Sequence, residues 1–359
     1  MGPIPKHATV AVTGAAGYIG GWAVKLLLDK GYRVRACVRK IDDPGRTDFL
    51  KAMDAYASGR LTLWEADLNN PGCFDAPFAG AQGVAHISHI SKYNDEDYIR
   101  ATARHIIESI NKSDSVNRVI VTSSIAAVMQ ESDIYEMKRR PVIYEDRWPD
   151  ELNPKRTMER GQGYSIGKVL AERLFADAAD ASGRWEAIAC CPADNVGPIL
   201  SKHQMERGPW QRHIAGMLAG RYGQTEAYRP WMIVDVRDTA EAHVRLLEST
   251  SVHNRERYIA CSAVKRNVED ICADIARLLP ELDHNTPAVK DDFPDRIKAR
   301  EAELRGIWAG TELRNDRVRA ATGMSFRATD DTLRDCAESL IAIGGVKVKQ
   351  REAKQAEAV

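Results

Sequence analysis

Tyr164 and Lys168 stand four residues apart in Tyr164-Ser165-Ile166-Gly167-Lys168, so on a helix they share a face. A free tyrosine titrates near pH 10 and is a poor proton donor or acceptor at neutral pH. A nearby ammonium favours the phenolate and lowers that value, which suits Tyr164 to protonate a carbonyl oxygen or deprotonate an alcohol. The same spacing arises by chance on solvated helices, so its weight comes from its company. Val119-Ile120-Val121-Thr122-Ser123-Ser124 is an apolar run ending in hydroxyls. If it is a strand of a parallel sheet, Ser124 lies at the carboxyl edge, where ligands collect. Its hydroxyl can then hold a substrate oxygen as charge develops there. Helix capping is the plainer use of such a serine.

A second group sits near the N-terminus. Thr13-Gly14-Ala15-Ala16-Gly17-Tyr18-Ile19-Gly20 joins the apolar run Ala8–Thr13 to an amphipathic stretch. Gly14 permits a tight turn, Gly17 lets backbone approach a pyrophosphate, and Gly20 allows close packing of helix on strand. The N–H groups at the start of the helix expected over Gly17–Lys30, which carries Tyr18 and Ile19 in its first turn, form a ready anion site. A site for NAD usually places an acid about 20 residues on, to bind the ribose hydroxyls. Here Val34-Arg35-Ala36-Cys37-Val38 ends without one, and Arg39 and Lys40 follow. Two cations there suit a 2′-phosphate, so the cofactor expected is NADP.

The elements that must position these groups alternate along the chain. Strands are expected at Ala8–Thr13, Tyr32–Val38, Leu61–Ala66, Gly83–Ser88, Arg118–Thr122, Glu186–Cys191 and Arg257–Cys261. Helical spacing marks Gly17–Lys30, the region of Ile106 and Ile110, and Gly167–Ala181, with Gly31 closing the first. That order predicts an α/β fold: a doubly wound, Rossmann-like parallel sheet. Beyond Pro192 the pattern weakens, with helix-like stretches at Val234–Leu247, Val268–Leu279 and Asp331–Ile343. The expected division is a cofactor domain over 1–192, a substrate-side lobe over 193–345 that partly returns to the sheet, and a frayed tail over 346–359.

Composition narrows the function. The 51 basic and 51 acidic residues cancel, which argues against a nucleic-acid-coating protein. Seven cysteines without a CxxC pair read as reduced thiols, and the histidines show no metal-site spacing. No apolar run is long enough for a membrane helix, and the first residues lack a signal peptide, so a cytoplasmic monomer or homodimer acting on a small molecule is expected.

Taken in order, these motifs resemble the extended short-chain dehydrogenase/reductases, and more narrowly the dihydroflavonol-4-reductase, cinnamoyl-CoA reductase and aldehyde reductase group. Ala66-Asp67-Leu68, Gly197-Pro198 and Val234-Asp235-Val236-Arg237-Asp238 complete the match, which runs over roughly residues 8 to 345. The resemblance implies that Ser124, Tyr164 and Lys168 are catalytic and that Arg39 contacts the 2′-phosphate. It also implies that Asp67 and Leu68 contact the adenine, that Ile87 and Ser88 pass beside the cofactor, and that Pro192 and Asn195 lie near the nicotinamide. Lys168 would bind the ribose as well. The chain departs from the group around the substrate. Met129 stands where the plant flavonoid reductases carry asparagine, Ala193-Asp194-Asn195 is more polar than usual, and His89 replaces a small residue. His89, Met129 and Asp194 are therefore the expected substrate contacts.

Two alternatives remain beside a carbonyl reductase. A nucleotide-sugar epimerase or dehydratase uses the same scaffold but usually retains NAD, against which Arg39 argues. A non-catalytic NADP sensor commonly lacks the tyrosine–lysine pair. Met129, Trp148, Trp210, Met217, Tyr222 and Trp231 fall in the two segments expected over the site, 129–163 and 194–231, and suggest an apolar or aromatic substrate.

Overall fold

The computed structural model describes residues 2–88, 90, 92–148, 163–220, 230–282 and 295–348. The cofactor half contains β1 (Thr9–Thr13), α1 (Tyr18–Asp29), β2 (Arg33–Val38), β3 (Leu61–Glu65), β4 (Gly83–His86), α2 (Glu96–Lys112), β5 (Arg118–Thr122), α3 (Gly163–Ser182) and β6 (Glu186–Pro192). Further main elements are β7 (Asp194–Val196), α4 (Pro209–Leu218), β8 (Trp231–Asp235), α5 (Val236–Glu248), β9 (Arg257–Ala260), α6 (Val268–Leu278), α7 (Asp295–Gly310) and α8 (Thr329–Ala342).

Seven parallel strands form one sheet in the order β9-β6-β5-β4-β1-β2-β3. Side chains alternate across it. Val10, Val12, Ile120 and Ile188 join Val24 and Leu27 of α1 and Ala242 and Leu246 of α5 in one core. Ala11, Val119 and Val121 face the other way, onto Ile106 and Ile110 of α2 and Phe175 of α3. Burial on both faces is why these strands read as continuous apolar runs. The direction of winding reverses between β1 and β4, and there the carboxyl ends of the strands open a crevice.

The second half does not stand apart. The boundary expected at 192/193 falls between β6 and β7; beyond it α5 packs on α1 and β9 completes the sheet. Tyr18 Oη donates to the Gly197 carbonyl at 2.7 Å, and Trp22 Nε1 to that of Pro198 at 2.8 Å. The Val234–Leu247 stretch divides: Val234 and Asp235 end a strand, and Asp235 caps α5 through the Arg237 N–H. Strand β7 pairs with β8. Neither β7 nor helix α7 was expected: β7 is three residues long, and the core contacts of α7, Leu304, Ile307 and Trp308, are gathered in its second half. The tail expectation also needs correction at its start. Val346 is buried and Val348 half-buried against Leu340 and its neighbours; residues 349–359 lie outside the described residues.

Candidate active site

At the end of β1, Gly14 takes φ +68°, and a Cβ there would come within 2.9 Å of Ser88 Cα. A Cβ on Gly20 would lie 2.2 Å from the Gly14 carbonyl oxygen, so only glycine lets α1 start so close to the strand. The Gly17 N-cap has no side-chain hydrogen bond, and the first turn of α1 carries no acid. Its leading N–H groups therefore face the crevice with the positive end of the helix dipole and no competing anion. Thr13 Oγ1 accepts the N–H groups of Ile87 and Ser88, each at 3.1 Å. Its own proton must then go to His86 Nδ1, 2.9 Å away. This one hydroxyl locks the turn after β4 against the turn after β1.

Arg39 and Lys40 are exposed just past β2, and neither makes an ion pair among the described residues. Asp67 and Leu68 lie half-buried beyond β3; Asp67 Oδ1 holds the Asn69 N–H at 2.9 Å, and the Leu68 carbonyl meets His105 Nδ1 at 2.8 Å. The uncapped helix, the glycine-shaped turn and the unpaired cations fit a dinucleotide with a 2′-phosphate. Two of the expected contacts are committed elsewhere. The Tyr18 side chain is spent on Gly197, which leaves its backbone N–H, and Ile19 is half-exposed. Asn195 Oδ1 accepts from Thr239 Oγ1 at 2.6 Å and its Nδ2 donates to the Ala193 carbonyl at 3.0 Å; Pro192 is buried at the end of β6.

The catalytic candidates meet at the carboxyl ends of β5 and β6. Ser124 caps a 3₁₀ turn, Ile125–Ala127, accepting the Ala126 N–H at 3.1 Å. Ser165 Oγ donates to the Ala126 carbonyl at 2.6 Å and pins the start of α3 to that turn. Ser124 lies close enough to Tyr164 to act on its phenol. Among the described residues helix α3 spans Gly163–Ser182, so it takes in Tyr164, which the expected start at Gly167 left out. Lys168 Nζ donates to the Thr122 carbonyl at 2.9 Å.

The electrostatics correct the sequence-based reading. Burial pushes the Tyr164 phenol above its ordinary value, the neighbouring Ser124 hydroxyl opposes that, and the Asp194 charge adds to it. Burial likewise takes Lys168 down to about 8. Loss of water around both half-buried groups thus outweighs the expected help of the ammonium.

Two histidines, His86 half-buried and His243 buried, face Lys168. His86, stacked on Phe175 at 5.1 Å, is taken down to about 3 by burial and the Lys168 charge. His243 is taken down to about 4 by burial. Its Nδ1 meets the Thr239 carbonyl at 2.7 Å and so carries the proton. Its Nε2 accepts from Thr122 Oγ1 at 2.7 Å. Tyr93 stands edge-on to Tyr164, ring centroids 4.6 Å apart. A Cβ on Gly167 would press within 3.2 Å of the Tyr93 ring, which explains the glycine between Tyr164 and Lys168. Tyr93, His86 and His243 carried no spacing signal, because they come from separate elements.

Of the expected substrate contacts, the two that are described, Met129 and Asp194, are buried and engaged within the protein. Met129 is 3% exposed among Ile134, Met137, Ala193, Met232 and Trp308, a packing position. Asp194 is buried, and its Oδ2 accepts the Met232 N–H at 2.8 Å, which fastens β7 to β8. Met217 and Trp231 belong to the core of the second lobe, Trp210 packs on Trp231 at 4.6 Å, and Trp148 covers the Arg257 guanidinium at 3.8 Å. These side chains are apolar because they fill lobe cores. His89 and Tyr222 lie outside the described residues.

A doubly wound sheet with a serine, tyrosine and lysine gathered at its carboxyl edge beside a nucleotide crevice defines a dinucleotide-dependent oxidoreductase. Residues 10–261 match the NAD dependent epimerase/dehydratase family, and the chain belongs to it. It is 30% identical over 341 residues to cinnamoyl-CoA reductase 1 of Arabidopsis thaliana, covering 94% of this chain and 90% of that one. It is 28% identical over 312 residues to a dihydroflavonol 4-reductase of Zea mays, covering 84% of each. Among solved structures, alfalfa (Medicago sativa) vestitone reductase superposes with TM-score 0.70 at 24% identity over 94% of this chain and 99% of that chain. Yeast methylglyoxal/isovaleraldehyde reductase Gre2, complexed with NADPH, gives 0.72 at 22% over 94% and 99%.

Proposed function

We propose that this oxidoreductase uses NADPH to reduce a ketone or aldehyde to an alcohol, or runs the reverse oxidation. The observation that carries the reading is the convergence of Ser124, Tyr164 and Lys168 at the carboxyl edge of β5, with Lys168 held on the Thr122 carbonyl and Ser124 close enough to act on the Tyr164 phenol. NADPH, when bound, supplies the hydride. Gly14, Gly17 and Gly20 leave room for the pyrophosphate at the α1 N-terminus, and Arg39 with Lys40 takes the 2′-phosphate. Ser124 holds the substrate oxygen. Tyr164 gives that oxygen its proton; a phenol kept protonated by burial starts in the correct state for reduction. Lys168, held on the Thr122 carbonyl, presents its positive charge to the same pocket. Pro192 and Asn195 close the nicotinamide side.

The substrate is proposed to be an apolar or aromatic carbonyl. The exposed part of the Tyr93 ring beside Tyr164 supports this, as do relatives named for cinnamoyl-CoA and dihydroflavonol. Among the described residues no helix is long and apolar enough to cross a membrane. The cysteines among the described residues are free thiols, nearly all buried, which supports a reducing, cytoplasmic setting. The test is NADPH oxidation against a panel of aryl and alkyl ketones and aldehydes, with the alcohol product quantified. Stoichiometric alcohol is expected. Oxidation of NADH at equal affinity, or no turnover of any carbonyl, overturns the reading.

A further inference from the structure

Helix α3 carries another charged group one turn beyond Lys168. Glu172 is 6% exposed and lies on the same face. Its Oε1 accepts from Ser123 Oγ, and its Oε2 accepts from Arg257 Nε at 2.7 Å. Arg257 opens the edge strand β9 and is 3% exposed. Its Nη2 also reaches Glu172 Oε1 at 3.4 Å, and the other bonds of the guanidinium go to backbone. Nη2 donates to the Ala127 carbonyl at 2.6 Å, and Nη1 to those of Glu145 at 3.0 Å and Arg147 at 2.7 Å. Ala127 closes the turn that Ser124 caps. One guanidinium therefore joins three things: the edge strand, the helix bearing Tyr164 and Lys168, and the segment bearing Ser124.

Stability alone is a weak reason for such an arrangement. Desolvating both ions costs about as much as their attraction returns, and an apolar pair often serves the fold equally well. What the ions add is direction: a planar fork and a carboxylate fix angles as well as distances. We propose that Glu172 and Arg257 are positioning residues, a buried pair that sets the placement of Ser124 against Tyr164 and keeps a negative charge one turn behind Lys168. This rests on the catalytic reading of those three residues.

The groups around Lys168 make the charge separable from the scaffold. On its own helix these are Tyr164 and Glu172; β6 presents Cys191, β4 His86, α5 His243, and the segment before α2 Tyr93. Burial keeps both histidines neutral and the Cys191 thiol protonated. Glu172 is the carboxylate that raises Lys168 against the pull of burial. Glu172→Gln removes the charge and keeps the shape.

The experiment compares wild type, Glu172→Gln and Arg257→Lys for melting temperature, NADPH affinity, kcat on a confirmed carbonyl, and titration of Lys168 followed by NMR of labelled lysine side chains. In Glu172→Gln the Lys168 titration should move down by about half a pH unit or more, with kcat falling roughly tenfold while NADPH affinity holds. Arg257→Lys keeps charge but loses the fork, so kcat should fall while the Lys168 titration stays. A folded Glu172→Gln protein with unchanged kcat and unchanged titration overturns the proposal, even if its melting temperature drops. Should that variant fail to fold, Ser123→Ala removes one bond to Glu172 and should still lower kcat; an unchanged kcat there overturns the proposal too. A wild type that reduces no carbonyl defeats the functional reading instead, and the lysine titration, which needs no turnover, still decides the role of the charge.

Discussion

The two edges of the crevice are built from opposite materials. Beside β1 and β4 the site consists of backbone and missing side chains: Gly14 against Ser88, Gly20 against the Gly14 carbonyl, and one hydroxyl, that of Thr13, locking two turns. Its charges, Arg39 and Lys40, stand exposed. Beside β5 and β6 the site consists of side chains set into the protein: Glu172, Arg257 and His243 buried, Lys168 half-buried, with His86 from the end of β4 acting on Lys168. The contrast follows from the two tasks. An anionic cofactor is held by N–H groups, which any residue supplies provided no Cβ intrudes. Proton transfer needs titratable groups shifted by low dielectric and held by neighbours. The first edge is damaged by adding atoms or reversing charge, and the second by removing atoms.

Four experiments bear on that contrast, the largest effect first. Met129→Ala should cost about 2–5 kcal/mol of stability, because it empties a core position beneath the catalytic edge. It should leave the ranking of carbonyl substrates unchanged; a denaturant melt and kcat/KM for several substrates check both. A changed ranking with unchanged stability would return Met129 to the substrate pocket. Tyr164→Phe should lower kcat by about a hundredfold or more while NADPH affinity persists, which separates the two edges directly. Near-normal turnover would move the proton donor elsewhere. Arg39→Asp should do the converse, weakening NADPH by about 1–3 kcal/mol with little change in kcat at saturation. Parallel titrations with NADPH and NADH decide it.

The smallest effect per step concerns acid. His86 and His243 are neutral in the folded chain, at about 3 and about 4 against an ordinary 6.5. Below pH 6.5 the unfolded chain takes up protons that the folded chain refuses. Stability is therefore complete above pH 6.5 and falls as the pH drops toward 4, by up to about 1.4 kcal/mol per pH unit for each histidine. Urea melts at pH 7 and pH 5 measure it, and equal midpoints would show that neither ring is held neutral. His243→Gln should flatten the slope.

Much of this was legible along the chain. All seven strands of the main sheet were expected close to their observed limits, because each is a short apolar run and the helices between them carry stripes. The glycine turn, the cations after β2, and Ser124, Tyr164 and Lys168 were picked out by local spacing. The segments over the site were read less well. Met129, Met217 and Trp231 looked like an apolar pocket, but an apolar side chain in a loop and one in a small core look alike until the loop is folded. Glu172 was within reach, since it repeats the Tyr164–Lys168 interval once more, whereas Arg257 was not.

What the sequence by itself determined is whatever depends on neighbours along the chain: strand and helix periodicity, a turn that demands glycine, a helix N-terminus free of acids, and two groups one turn apart. Tertiary structure alone decided the chemistry of those groups. Lys168 lies between His86, His243 and Glu172, and Tyr164 beside Ser124, Tyr93 and Asp194. These residues come from different strands, helices and loops. A proton's affinity depends on the charges, hydrogen bonds and burial within a few ångströms, and that distance is set by how the elements pack.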